Sequence, residues 1–224
     1  MLNDADRDAI AAAVARAEAS TSGEIVCVLA RRVSDYRETP LLWAAAVALL
    51  APAIALSLGF EPPQLGGAWT AAHSGAAPAA QGAALTAYAV AQAVLFALVC
   101  GVVALPALRT PLTLPAVKRR RVRQAAMAQL AAAELAAGPS RAAVVIFAAE
   151  AEHRVEVLAT EAAHAAIGQS VWDAAVAAVL AGMKRDAPRE GVVAAVGLCG
   201  GALADHFPQS ELDANAISDR PLEL

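Results

Sequence analysis

Between Glu38 and Arg109 the chain carries one charged residue, Glu61. That vacancy holds two long apolar runs, 41–60 and 83–108. A helix crosses the hydrocarbon core of a bilayer with about 20 consecutive apolar residues, and both runs meet that length. Pro52 and Pro106 are compatible with spans, where neighbouring groups re-satisfy a kinked backbone. Trp43 and Tyr88 lie near the starts of the runs, and amphipathic rings favour a membrane interface. The alternative, two Ala-rich helices buried in a soluble core, needs a covering surface that the rest of the chain does not offer. A removable leader is not expected, because a charged, amphipathic segment precedes the first run.

The basic residues predict an orientation. Arg31, Arg32 and Arg37 precede the first run; Arg109, Lys118, Arg119, Arg120, Arg121 and Arg123 follow the second; the connector 61–82 contains no Lys or Arg. Positive charge is retained on the cytoplasmic side. The expectation is a multi-pass inner-membrane protein with both flanks cytoplasmic and the loop 61–82 outside. The cluster Lys118, Arg119, Arg120, Arg121 and Arg123, just after a span, reads as a contact for anionic lipid headgroups. Nucleic acid is not an expected partner, since the net charge is −4 and no domain is strongly basic. The three cysteines, Cys27, Cys100 and Cys199, lie far apart, which argues against a disulfide scaffold or a zinc ribbon.

The flanks, 1–38 and 112–208, read as two parts of one α/β domain, followed by a polar tail, 209–224. Asn3 and Asp6 suit a helix start. Ile10, Ala13, Val14 and Ala17 recur at helical spacing, and 21–23 ends the helix. Residues 25–29, IVCVL, read as a buried strand. A second helix is expected over 116–137, with Val122, Met127, Leu130 and Leu135 as its apolar positions. Strands over 142–148 and 154–159 follow, joined by a tight polar turn at 150–153. Ser170, with Asp173 three residues on, resembles a capping box before the stripe Trp172, Ala175, Val176, Val179, Leu180 and Met183. A last helix is expected over 191–205, with Gly197, Gly200 and Gly201 as a packing notch. One helix and one strand before the first run cannot bury both faces of a sheet, so the two flanks are expected to assemble across the membrane hairpin.

Several short motifs, in order, resemble the TPM domain family. The segment Glu18-x-x-Thr21-x-Gly23-Glu24-Ile25-Val26 is similar to its N-terminal signature. AAVVIFAAEAEHRVEVLA resembles its strand hairpin, centred on Glu152-x-Arg154-Val155-Glu156; Trp172 and His206-Phe207-Pro208 follow in the expected order. The layout resembles a bacterial subgroup whose domain is interrupted by a transmembrane hairpin. The resemblance implies an α/β sandwich with a small central sheet. Some members are described as acid phosphatases or calcium binders, others as assembly or repair factors of membrane complexes. Many relatives carry an Asp just after the second hairpin strand and a Gly two residues later; here Thr160 and Ala162 stand there.

Two functions stay open. The first is a non-catalytic binding, assembly or quality-control factor for membrane partners. The second is a metal-dependent phosphomonoesterase, with Glu152, Glu156, Glu161 and His164 gathering a divalent cation such as calcium. A solvated turn shows the same residues, as does a local ion pair between Glu161 and His164. No Gly-rich phosphate loop, HExxH or paired-histidine motif accompanies them. Glu18 and Glu24 are read as carboxylates that fix loop geometry through backbone N–H groups, together with Thr21, Gly23 and Arg154 as motif positions. Trp172, Cys27 and Cys199 are expected in the core. His153 is expected to be exposed, and Asp205-His206 to cap a helix end. A transporter is disfavoured, because neither run carries a charged residue.

Overall fold

The computed structural model describes residues 3–59, 78–138, 141–209 and 217–224. In chain order these form α1 (Asp4–Glu18), β1 (Glu24–Ala30), α2 (Glu38–Ser57), α3 (Pro78–Val103), α4 (Pro106–Leu112), α5 (Pro115–Ala137), β2 (Ala143–Ala149), β3 (Arg154–Ala159), α6 (Glu161–Ala166), α7 (Gln169–Lys184), α8 (Pro188–His206) and β4 (Leu222–Glu223). They divide into two compact units, 1–34 with 114–224, and 35–113.

The first unit is an α/β fold around a four-stranded mixed sheet of order β3-β2-β1-β4. β1 and β2 pair in parallel over their full length, from Glu24 opposite Ala143 to Ala30 opposite Ala149. Both strands are buried almost throughout, which explains why they are continuous apolar runs rather than alternating ones. One face of the sheet presents Ile25, Cys27, Val144, Ile146 and Ala148 to α1, α6, α7 and α8. The other presents Val26, Val28, Val145 and Phe147 to α5, which contributes Val122, Ala126, Leu130 and Ala133. β3 joins β2 through the tight hairpin and splits its side chains as alternation requires: Val155 and Val157 enter the first core, and Leu158 packs on the second.

Local chemistry sets the boundaries. Asn3 and Asp6 form a reciprocal capping box at the start of α1, with backbone-to-side-chain bonds of 2.8 and 3.1 Å. Ser170 does not cap α7: it lies inside the first turn, and Gly168 occupies the cap without a side-chain bond. α8 begins earlier than expected, at Pro188, because proline suits the first helical turn. On α5, Met127 and Leu135 point outward, 48% and 88% exposed, and the smaller Ala126 and Ala133 share the core face with Val122 and Leu130. The polar tail contributes a strand, β4, parallel to β1 at Val28 and Leu29.

The second unit pairs α2 with α3, with the short α4 against both. Ala44 and Ala48, one turn apart, are buried there, since small residues let helix backbones approach closely. Large aliphatic side chains point outward, including Leu49 (71% exposed), Leu85 (67%) and Leu98 (62%). Two stretches are long and apolar enough to cross a membrane, Glu38–Ser57 and Leu85–Val103. The second run is not one helix: α3 ends at Val103 and Pro106 opens α4. Polar groups in these helices find local partners: Ser57 donates to the Ile54 carbonyl, Thr86 to the Gly82 carbonyl and Gln92 to the Tyr88 hydroxyl. In the first turns of α2, Trp43 Nε1 donates to the Leu112 carbonyl, and Thr39 Oγ1 and Thr113 Oγ1 meet at 2.8 Å. Within the expected loop 61–82, residues 61–77 lie outside the described residues.

α7 and α8 cross where glycines replace side chains. A Cβ on Gly191 would stand 2.8 Å from the Ala178 carbonyl oxygen and 3.0 Å from Val179 Cα, and one on Gly182 2.7 Å from Gly191 Cα. Gly200 likewise abuts Ala17, whereas a Cβ on Gly197 or Gly201 meets nothing within 4 Å. Of the three glycines expected to form a notch, only Gly200 does so. Gly191→Ala should cost on the order of 2 kcal/mol, because backbone atoms cannot yield. Gly201→Ala should instead stabilise α8 by up to about 1 kcal/mol. Urea titrations of the full chain in detergent, followed by circular dichroism, check both signs.

Candidate functional site

Clefts lie at the two ends of β1. The cleft at its amino end, about 230 Å³, is lined by Glu18, Thr21, Gly23 and Glu24 of the N-terminal motif, together with Arg141 and Asp219. α1 ends at Glu18, and the turn to β1 folds back so that Glu18 Oε1 accepts the Ile25 N–H at 2.8 Å. Thr21 Oγ1 donates to the Phe207 carbonyl at 2.6 Å and accepts the Gly23 N–H at 3.0 Å. Ser22 N–H donates to the same carbonyl, and Thr21 pairs with Pro208 as an isolated bridge. The two motif ends expected from sequence, Thr21-x-Gly23 and His206-Phe207-Pro208, therefore meet in one clasp. Gly23 is closely packed there: a Cβ would lie 3.0 Å from the Leu203 side chain and 3.4 Å from the Ala142 carbonyl oxygen. His206 is the last residue of α8 and is exposed.

Electrostatics distinguish the two acids of this cleft. Glu24, only 3% exposed, pairs with Arg141 at 3.2 Å. The Glu18 carboxyl is pushed up to about 7, chiefly by burial; the Ile25 N–H opposes that shift, and the neighbouring Glu24 and Asp219 reinforce it. A carboxyl whose folded value exceeds its unfolded value near 4.5 retains a proton that the unfolded chain releases. Its contribution to stability is complete below the unfolded value and is lost as pH rises through the folded one.

The cleft at the carboxyl end, about 250 Å³, is lined among others by Arg31, Glu150, His153, Asp186 and Glu223. Ligands of open α/β sheets bind beyond the carboxyl ends of strands. This cleft offers three carboxylates, one guanidinium and one imidazole, a set suited to a small polar or ionic ligand. Arg31 leaves the end of β1. Glu150 and His153 belong to the β2–β3 turn, where His153 is exposed and adopts φ +50°. Sequence reading placed Glu150 and His153 in the turn, but nothing in the sequence joined them to Arg31, Asp186 and Glu223, which come from three distant segments.

The four residues expected to gather a cation do not converge. Glu152 is buried and its Oε1 accepts the Val33 N–H at 3.1 Å, tying the hairpin to the segment after β1. Glu156 sits on the α5 side of the sheet, 3.7 Å from Arg123. Glu161 and His164 are exposed on α6, on the opposite side, in its first and last turns, where each charge suits the helix dipole. Among the described residues no three His, Cys, Asp or Glu side chains form a set that could hold a metal ion. Arg154 opens β3, opposite Ala149. Trp172, Cys27 and Cys199 are core residues; burial raises both thiols, that of Cys199 to about 12. Lys118, Arg119, Arg120, Arg121 and Arg123 follow one another along the first half of α5, all but Lys118 exposed.

Fold and clefts together define an α/β unit with a mixed sheet whose sequence is interrupted by two apolar helices. No family model matches the chain, and no curated protein matches it. Among solved structures, the NMR structure of the BA42 protein from the psychrophilic bacterium Bizionia argentinensis is similar over 100% of this chain and 96% of that chain, with a TM-score of 0.55 and 15% identity. At that identity the likeness is one of fold.

Glu18→Gln retains an acceptor for the Ile25 N–H and removes the titration. The wild-type chain should lose stability between about pH 5 and pH 7.5, and the variant should lose distinctly less. Urea midpoints at the two pH values measure this, and equal losses would contradict the assignment.

Proposed function

We propose that this protein is a membrane-anchored factor of the TPM-like kind. Its α2–α3 unit is embedded in a bacterial inner membrane, and its α/β unit binds a protein partner in the cytoplasm without catalysis. The observation that carries the reading is the belt of outward-facing Leu, Ile and Val on two helices whose one charged side chain among the described residues is Glu38, in the first turn of α2. Water does not accommodate such a surface, whereas lipid does. The order of the short motifs along the sequence and the clasp formed by their residues support the family part of the reading. The motif carboxylates are engaged with backbone N–H groups and an arginine, a structural use of groups that a metal-dependent hydrolase would hold for a cation. The basic residues that precede and follow the apolar helices motivate the cytoplasmic placement of the α/β unit and its contact with anionic headgroups.

An arginine near the middle of a span costs about 3 kcal/mol of insertion. Val94→Arg should therefore move much of the chain out of the carbonate-resistant membrane fraction, and an unchanged distribution would contradict anchoring through α3. Protease added to spheroplasts should leave 114–224 intact. Affinity purification of the detergent-solubilised full chain should recover a stoichiometric membrane partner, and recovery should survive Glu161→Ala with His164→Ala. Chelator-sensitive hydrolysis of an aryl phosphate by the purified chain, with no partner recovered, would overturn the proposal.

A further inference from the structure

The amino-end cleft gathers the carboxyl groups of Glu18, Glu24 and Asp219 around one guanidinium among the described residues, Arg141. That guanidinium is paired with Glu24 at 3.2 Å. Glu18 Oε1 accepts the Ile25 N–H, but Oε2 is buried and no donor among the described residues reaches it. An ionised Glu18 would leave that oxygen buried without a hydrogen bond, which is costly. The Asp219 carboxyl stands within hydrogen-bonding reach of the Glu18 carboxyl. Two carboxyl groups bond to each other only through a proton, since an ionised carboxylate is acceptor-only. One proton at this place removes a charge from the cleft, gives Glu18 its second hydrogen bond and ties the end of α1 to Asp219.

Asp219 belongs to the tail 217–224, whose other attachments are modest. Glu223 pairs with Arg7 and Arg220 with Asp8 at the surface, where each ion pair contributes little. The backbone adds bonds from Arg31 N–H to the Leu224 carbonyl and from Leu224 N–H to the Leu29 carbonyl, and Ile217 packs on the α5-side core. We propose that Glu18 and Asp219 form a proton-operated latch, which holds the tail against α1 and β1 while the proton is shared and releases it when the proton leaves. Release opens the amino-end cleft on the side that Asp219 lines. Burial and the neighbouring carboxylates push Glu18 up to about 7 in the docked state. Docking therefore takes up a proton: it is fullest at low pH and is lost as pH rises through about 7. The other titratable or charged groups around Glu18 are Glu24 and the buried Cys27 thiol of β1, and Arg141 before β2. α8, packed along α1, brings the Cys199 thiol beside that of Cys27 and ends in the exposed Asp205 and His206. The latch needs no partner and goes beyond the anchored-factor reading.

Amide exchange of the full chain in detergent, read by mass spectrometry at pH 5 and pH 8 and corrected for the intrinsic rate at each pH, tests the latch. Protection of 217–224 should fall at least about tenfold from pH 5 to pH 8, the factor for one pH unit of difference between the docked and the free carboxyl. Protection of 143–149 should persist at both. Glu18→Gln keeps the acceptor for the Ile25 N–H and offers an amide N–H to Asp219, so the tail should be protected alike at the two pH values. Asp219→Asn offers the matching amide to Glu18 from the tail, outside both cores, and should give the same result. It decides the question should Glu18→Gln fail to fold. His206→Gln, at the end of α8, should leave the wild-type contrast unchanged. Equal protection of the wild-type tail at both pH values, a contrast that survives Asp219→Asn, or one that His206→Gln abolishes overturns the proposal.

Discussion

The parallel pairing of β1 with β2 is the constraint on which the α/β unit depends. The two strands lie on either side of the apolar unit in sequence, yet they match residue for residue from Glu24 and Ala143 to Ala30 and Ala149. Each is apolar on both faces, so neither can rest at a sheet surface facing water. Both cores are built on them: one against α1, α6, α7 and α8, the other against α5. Parallel strands need a crossover, and here the crossover contains a complete membrane-compatible unit. The segment before the first apolar run supplies only α1 and β1, so its burial is supplied by the segment after the second.

The motif residues serve this joining. Glu18 fixes the entry into β1, Thr21 ties that entry to the end of α8, and Glu152 ties the β2–β3 turn to the exit from β1. The amino end of β1 is thus held by side chains that precede it, one of them bonded to the Phe207 carbonyl, and the segment after its carboxyl end by Glu152 from the far half of the chain. A carboxylate can hold a backbone N–H or coordinate a cation, and in this molecule Glu18 and Glu152 are seen in the first role. The carboxyl-end cleft, assembled around Arg31, Glu150, His153, Asp186 and Glu223, draws its polar side chains from several segments outside the clasp.

Much of this was legible in the sequence because local rules and global packing agree. The Asn3–Asp6 cap, the two continuous apolar strands, the alternation of β3 and the two membrane-length helices follow from spacing and composition alone. Periodicity failed where size rather than hydrophobicity decided the face. On α5, Ala126 and Ala133 take core positions that Met127 and Leu135 were expected to fill, since close approach to the sheet favours small side chains. The Gly182–Gly191 contact is also invisible locally, because it depends on where two helices cross. The tail was misread for a related reason. Leu222 and Glu223 carry no strand pattern of their own and become a strand only because Arg7 and the edge of β1 receive them. The cation site failed because sequence proximity around a hairpin distributes side chains to opposite faces of a sheet.

The central claim is that the segments on either side of the apolar helices fold as one body through β1 and β2. Amide hydrogen exchange of the full chain in lipid nanodiscs, read by mass spectrometry, tests it directly. The account predicts that peptides covering 24–30 and 143–149 are protected together and open with the same free energy. Exchange of 24–30 at the rate of an exposed loop, while 143–149 stays protected, would contradict it.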